Sequence, residues 1–127
     1  MKRFMLFLLL PVLMLSACAA EEAGYLSITA SEAKKIMDTQ EGYIILDVRT
    51  QEEYELLYIP GAILIPDEEI RERALTELPD KDQLILIYCR SGRRSKLAAE
   101  ILVELGYTNI REFGGIIDWP YETESLK

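Results

Sequence analysis

Seven consecutive residues hold most of the reactive chemistry in this chain: Cys89, Arg90, Ser91, Gly92, Arg93, Arg94 and Ser95. A cysteine here is a candidate nucleophile, because a thiolate attacks sulfur and other soft centres without help from a separate base. Arg90, Arg93, Arg94 and Lys96 crowd the start of an expected helix. Cations there oppose the helix dipole, so they are the wrong sign for stability and point to an anionic guest. The guest is either the Cys89 thiolate or an incoming anion such as thiosulfate, a sulfonate-like group or an oxyanion. Gly92 lets the backbone curl so that successive amides turn inward as an anion nest. Arg94, at the helix start, is the arginine expected to face the thiolate. The expected pocket keeps the thiol ionised and open to solvent.

The rest of the composition narrows the chemistry. The chain contains no histidine, which excludes His-based acid/base work, a Ser-His-Asp triad and imidazole metal sites. The net charge of −8 argues against a nucleic-acid partner. The two cysteines, Cys18 and Cys89, cannot build a disulfide scaffold.

The elements that must position the loop are short and alternate in type. Strands are expected over 25–28, 43–48, 62–65, 84–88 and 110–113. Helices are expected after Thr29-Ala30-Ser31-Glu32 and Thr50-Gln51-Glu52-Glu53, two capping-box patterns. The second helix should run through Tyr54 and Leu57. A third should be capped by Asp67, pass through Ile70 and Leu75 and stop at Pro79. A fourth should bury Leu97, Ala98, Ile101, Leu102 and Leu105 and stop at Gly106. Pro60-Gly61 fits a type II turn. This order predicts an α/β domain with a mainly parallel sheet and helices on both faces. The Cys89 loop then lies beyond the carboxyl end of the most apolar strand, where ligands bind in such sheets and where helix amides are free.

The amino terminus reads differently. Lys2 and Arg3 precede an apolar run from Phe4 to Leu15, which is too short to span a bilayer and suits a secretory signal. It ends in Leu15-Ser16-Ala17-Cys18, which resembles the lipobox of bacterial lipoproteins. That resemblance implies a signal peptide over residues 1–17, lipidation of Cys18, a lipidated tether over 18–24 and a folded domain over 25–127. It also implies an extracytoplasmic protein held to the membrane of the cell envelope. Cys89 is then the one free thiol, so sulfur chemistry must finish on an external molecule.

Five motifs together are similar to the rhodanese-like domain, single-domain sulfurtransferase type. They are Ile45-Leu46-Asp47-Val48-Arg49, Glu53-Tyr54, Ile59-Pro60-Gly61-Ala62, Cys89 to Ser95, and Phe113-Gly114-Gly115 with Asp118-Trp119-Pro120. The resemblance runs from about Tyr25 to Tyr121. It implies a five-stranded parallel sheet and a Cys89 persulfide, formed from an anionic donor and passed to a thiol or protein acceptor. Residues 90 to 95 would bind that persulfide, with no cofactor and no metal. Asp47 and Arg49 are expected to form a structural charge pair near the loop, and Trp119 and Tyr121 to pack in the core or at its rim. A monomer is expected.

Two departures bear on this. Leu57-Tyr58 stands where many relatives have Gly-His. Gln51-Glu52-Glu53 is acidic where some thiosulfate-using relatives carry a base, which speaks against thiosulfate as the preferred donor. Two alternatives share the fold: a non-catalytic binding module, and a phosphatase or arsenate reductase. The latter separate Cys and Arg by five residues, whereas four separate Cys89 from Arg94.

Overall fold

The computed structural model describes residues 23–127. The expected signal peptide over residues 1–17 and the expected lipidation site Cys18 lie outside the described residues. Five strands, β1 (Leu26–Ser27), β2 (Ile44–Asp47), β3 (Ile63–Leu64), β4 (Ile85–Cys89) and β5 (Ile110–Gly115), form one sheet in the order β1-β5-β4-β2-β3. Every pairing is parallel. Helices α1 (Ala30–Thr39), α2 (Gln51–Leu56), α3 (Ile70–Glu77) and α4 (Arg93–Glu104) supply the crossovers. Parallel strands cannot be joined by tight turns, so each crossover places a helix on a sheet face.

The strand pleat sorts side chains into two cores. Leu86, Tyr88, Ile45 and Phe113 pack with Ala33 of α1 and with Trp119. Ile85, Ile87, Cys89, Leu46 and Val48 pack on the other face beneath Ala74 of α3 and Ala98, Ala99 and Leu102 of α4. All five β4 residues are buried, as a central strand covered on both faces requires.

The capping pattern at Thr50 is complete: its hydroxyl accepts from the Glu53 amide while the Glu53 carboxylate accepts from the Thr50 amide. At Thr29 only the first half forms, with the Glu32 amide 3.1 Å from Oγ1. The Ile59–Ala62 turn closes with a 3.0 Å bond. Helix α4 ends in a Schellman motif, Tyr107 N–H to Leu102 O and Gly106 N–H to Val103 O.

Several expectations are corrected. Asp67 caps nothing; it begins a 3₁₀ turn over Asp67–Glu69 that leads into α3. Leu75 and Leu97 are 52% and 46% exposed, and Ala74 and Ala99 take the inward positions. The rest of the expected stripes holds: Ile70, Ala98 and Leu102 are buried, and Ile101 and Leu105 pack partly buried against the same core. Leu57 terminates α2 and is exposed.

Candidate active site

Cys89 is the last residue of β4, and its neighbour Gly92 caps α4 in a left-handed conformation, φ +105°. Only glycine holds that conformation without cost, and it turns the Gly92 N–H back onto Cys89 Sγ at 3.0 Å. Among the described residues, this is the amide of residues 90 to 95 that is hydrogen-bonded to the sulfur. The loop is clamped against β5. Cys89 pairs with Gly115 across a register shift, and the Ile117 amide bonds to Arg90 O. A Cβ on Gly115 would fall 1.9 Å from Arg90 O, so the close approach requires glycine there.

The thiol is not open to solvent, contrary to the expectation. Cys89 is 1% exposed, capped by its own loop and the first turn of α4. Its Sγ–H donates to Ser95 Oγ at 3.4 Å. Ser95 is buried, and donates in turn to Glu112 Oε1 at 2.7 Å. Glu112 lies on β5, 2% exposed, and also accepts from the Gly114 amide at 2.7 Å and from Ser27 at 3.4 Å.

Arg94 also differs from the expectation. Its guanidinium forks onto Glu53 of α2 at 2.7 and 2.9 Å instead of bonding the sulfur, though it remains within electrostatic reach of Cys89. The Arg94 bonds hold the Glu53 carboxyl down to about 2 from an ordinary 4.5, against the opposing effect of burial. Arg90, Ser91 and Arg93 are exposed at the mouth. Thr50, Pro66, Asp67 and Glu68 face Arg93 and Arg94 across an open depression.

Asp47 and Arg49 form the expected buried pair, 2.7 Å apart, with Arg49 also donating to Leu57 O. Its guanidinium lies 5.7 Å from the Tyr88 ring centre. Trp119 and Tyr121 pack edge to face at 4.9 Å, Trp119 being buried. Sequence reasoning missed two carboxylates. Glu53 was seen only as motif and cap, and Glu112 not at all. A signal existed for Glu112: a charged residue in a strand expected to be covered by helices on both faces.

A model of the rhodanese-like domain matches residues 29–120. The chain is 45% identical over 73 residues to thiosulfate sulfurtransferase PspE of Escherichia coli, covering 58% of this chain and 70% of that protein. It is 40% identical over 108 residues to the putative sulfur carrier protein YrkF of Bacillus subtilis, covering 84% of this chain. It spans 57% of YrkF, little more than half of that protein. A solved structure described as rhodanese with anions from E. coli superposes with a TM-score of 0.62 at 40% identity, covering 65% of this chain and 98% of that one. With the sheet order, the cysteine loop and these likenesses together, the chain belongs to the rhodanese-like domain family and is a rhodanese-type sulfurtransferase.

Proposed function

We propose that Cys89 carries sulfane sulfur from a small anionic donor, thiosulfate-like or persulfide, to a thiol or other nucleophilic acceptor. Cys89 reacts as its thiolate; with Sγ covered in the resting structure, the proton passes to water only when the covering loop moves aside. The thiolate attacks the outer sulfur of the donor, a new Sγ–S bond forms, and the donor's S–S bond breaks. The leaving group takes that electron pair, as sulfite from thiosulfate or as a thiolate from a persulfide. An acceptor thiolate then attacks the outer sulfur and expels the Cys89 thiolate, closing the cycle. Neither step needs a general base or a cofactor, so the lack of histidine is no obstacle.

One observation carries this reading: the Gly92 N–H aimed at Sγ from the amino end of α4. An oriented amide at a helix start stabilises sulfur-centred negative charge in thiolate, persulfide and transition state. The Glu53–Arg94 pair supports a donor of low charge, since a dianion must compete with a carboxylate already bound. The lipobox-like Leu15 to Cys18 supports a site outside the cytoplasm, tethered to the membrane by lipid on Cys18. A mature chain whose intact mass shows no lipid on Cys18 refutes that tether.

The test uses the full chain carrying Cys18→Ser, which leaves Cys89 as its single thiol. Treatment with thiosulfate or a low-molecular-weight persulfide is expected to add the mass of one sulfur atom, and cyanide or a thiol to remove it. Cys89→Ser should take up none. A protein that gains no sulfur from either donor has the binding-module function instead.

A further inference from the structure

The connections that follow β2, β3 and β4 meet around one open hollow of about 310 Å³. Thr50 borders it from the first, Pro66, Asp67 and Glu68 from the second, and Arg93 and Arg94 from the start of α4. This is the carboxyl end of the sheet, where Cys89 closes β4. Arg94 both lines the hollow and lies within electrostatic reach of Cys89. The sulfur-transfer steps above assign the hollow no occupant.

Its charges are of both signs, and they do not satisfy one another. Arg94 is taken by Glu53, and the Thr50 hydroxyl is spent in the cap of α2. On the neighbouring helix, Arg73 closes onto both Glu69 and Glu77. Among the described residues, Arg93, Asp67 and Glu68 make no such pair and no side-chain hydrogen bond, although they line the same hollow. They face one another too far apart to bond. A simple anion entering there meets Arg93 but also two carboxylates, and a simple cation meets the reverse. A ligand that carries both charges satisfies both sides.

We propose that this hollow is the acceptor subsite and takes a small thiol of α-amino-acid type, its carboxylate on Arg93 and its ammonium on Asp67 and Glu68. Arg93 is the guanidinium open to that carboxylate, because the fork of Arg94 is already filled. The volume suits a small ligand, since pockets that hold one start at about 300 Å³. The inference rests on Cys89 carrying the sulfur and adds the class of acceptor. The acceptor thiol gives its proton to water and attacks the outer sulfur as a thiolate. A new S–S bond forms, the bond from that sulfur to Sγ breaks, and Cys89 leaves with the electron pair. Contacts to two charged groups on one carbon fix the direction from which the thiolate approaches.

The test loads the full Cys18→Ser chain with sulfur and follows its discharge by three thiols, each counted as thiolate. Cysteine carries both charges, cysteamine lacks the carboxylate, and 3-mercaptopropionate lacks the ammonium. The KM for cysteine is expected to lie about threefold or more below the other two, the size of one partly exposed charge contact. Arg93→Gln, and Asp67→Asn together with Glu68→Gln, should each raise the cysteine KM about threefold. Circular dichroism checks that both variants keep the fold. A general field effect moves the two singly charged thiols in opposite directions and leaves cysteine where it was; that result overturns the proposal, as does a cysteine KM no lower than those of its fragments. A second measurement needs no sulfur on Cys89. S-methylcysteine has both charges and no thiol, and it should shift the amide resonances of Thr50, Asp67, Glu68 and Arg93 more than S-methylcysteamine or 3-(methylthio)propionate does. If Cys89 takes up no sulfur while S-methylcysteine shifts these amides, the transfer reading fails and the zwitterion site stands. If sulfur loads and S-methylcysteine shifts none of them, the subsite fails and the transfer reading stands.

Discussion

Replacing Glu53 by Gln isolates the ion pair that ties the cysteine loop to α2. Gln is accepted at the third position of a capping box, so the Thr50 cap survives and only the charge is removed. Arg94 bonding first, with help from the Thr50 amide and hydroxyl, lowers the Glu53 carboxyl from 4.5 to about 2, so the figure that follows is an upper bound for the pair. Each unit is worth about 1.4 kcal/mol, giving roughly 3 kcal/mol before screening. Both side chains are 28% exposed, and partly exposed pairs retain only about 1 kcal/mol in water. The folded-state value is depressed, so this stabilisation is complete above 4.5 and is lost as pH falls toward 2. Urea unfolding of Glu53→Gln and its parent, both carrying Cys18→Ser, should differ by about 1 kcal/mol at pH 7 with equal m-values. The difference should shrink below the ordinary carboxyl range and nearly close at the acid end, and 1 M salt should narrow it at pH 7. Equal stabilities at pH 7, or a gap that persists unchanged in acid, refute the reasoning. The freed Arg94 also faces the open depression beside Arg93, so KM for thiosulfate should fall in the same variant.

Other consequences follow from burial and close approach. Asp47→Ala leaves the Arg49 guanidinium buried without its partner and should cost about 3–5 kcal/mol in urea unfolding. Leu102→Ala, at a fully buried position of α4, should cost about 2–5 kcal/mol, whereas the half-exposed Leu97→Ala should stay within about 0.5 kcal/mol; equal effects would mean that the helix is turned otherwise. Gly115→Ala forces a Cβ onto Arg90 O and should destabilise by about 3 kcal/mol or more, with sulfur uptake by Cys89 lost in step. A variant of parental stability would place the loop further from β5.

The alternation of apolar runs and capping patterns along the chain was enough to determine a parallel α/β sheet, because strand and helix periods are local properties of consecutive residues. The cysteine loop was legible for the same reason. Its seven residues are contiguous, and its arginines visibly violate the dipole rule at a helix start. Helix orientation was less legible. Periodicity alone placed Ile70, Ala98 and Leu102 inward, but not the edge of each stripe: packing turned Leu75 and Leu97 outward and took Ala74 and Ala99 inward.

What tertiary structure alone decided is how the loop's charges are partnered. Arg94 meets Glu53 across 41 residues of sequence, and Ser95 meets Glu112 across 17. No local rule links residues so separated, because their proximity is set by sheet order and by the crossover of α4 over β4 and β5. The sequence set Cys89 among cations at a helix start. Packing then buried that sulfur, matched Arg94 with a carboxylate, and set a second carboxylate one hydroxyl away. The two carboxylate contacts are long-range and form only with the tertiary fold.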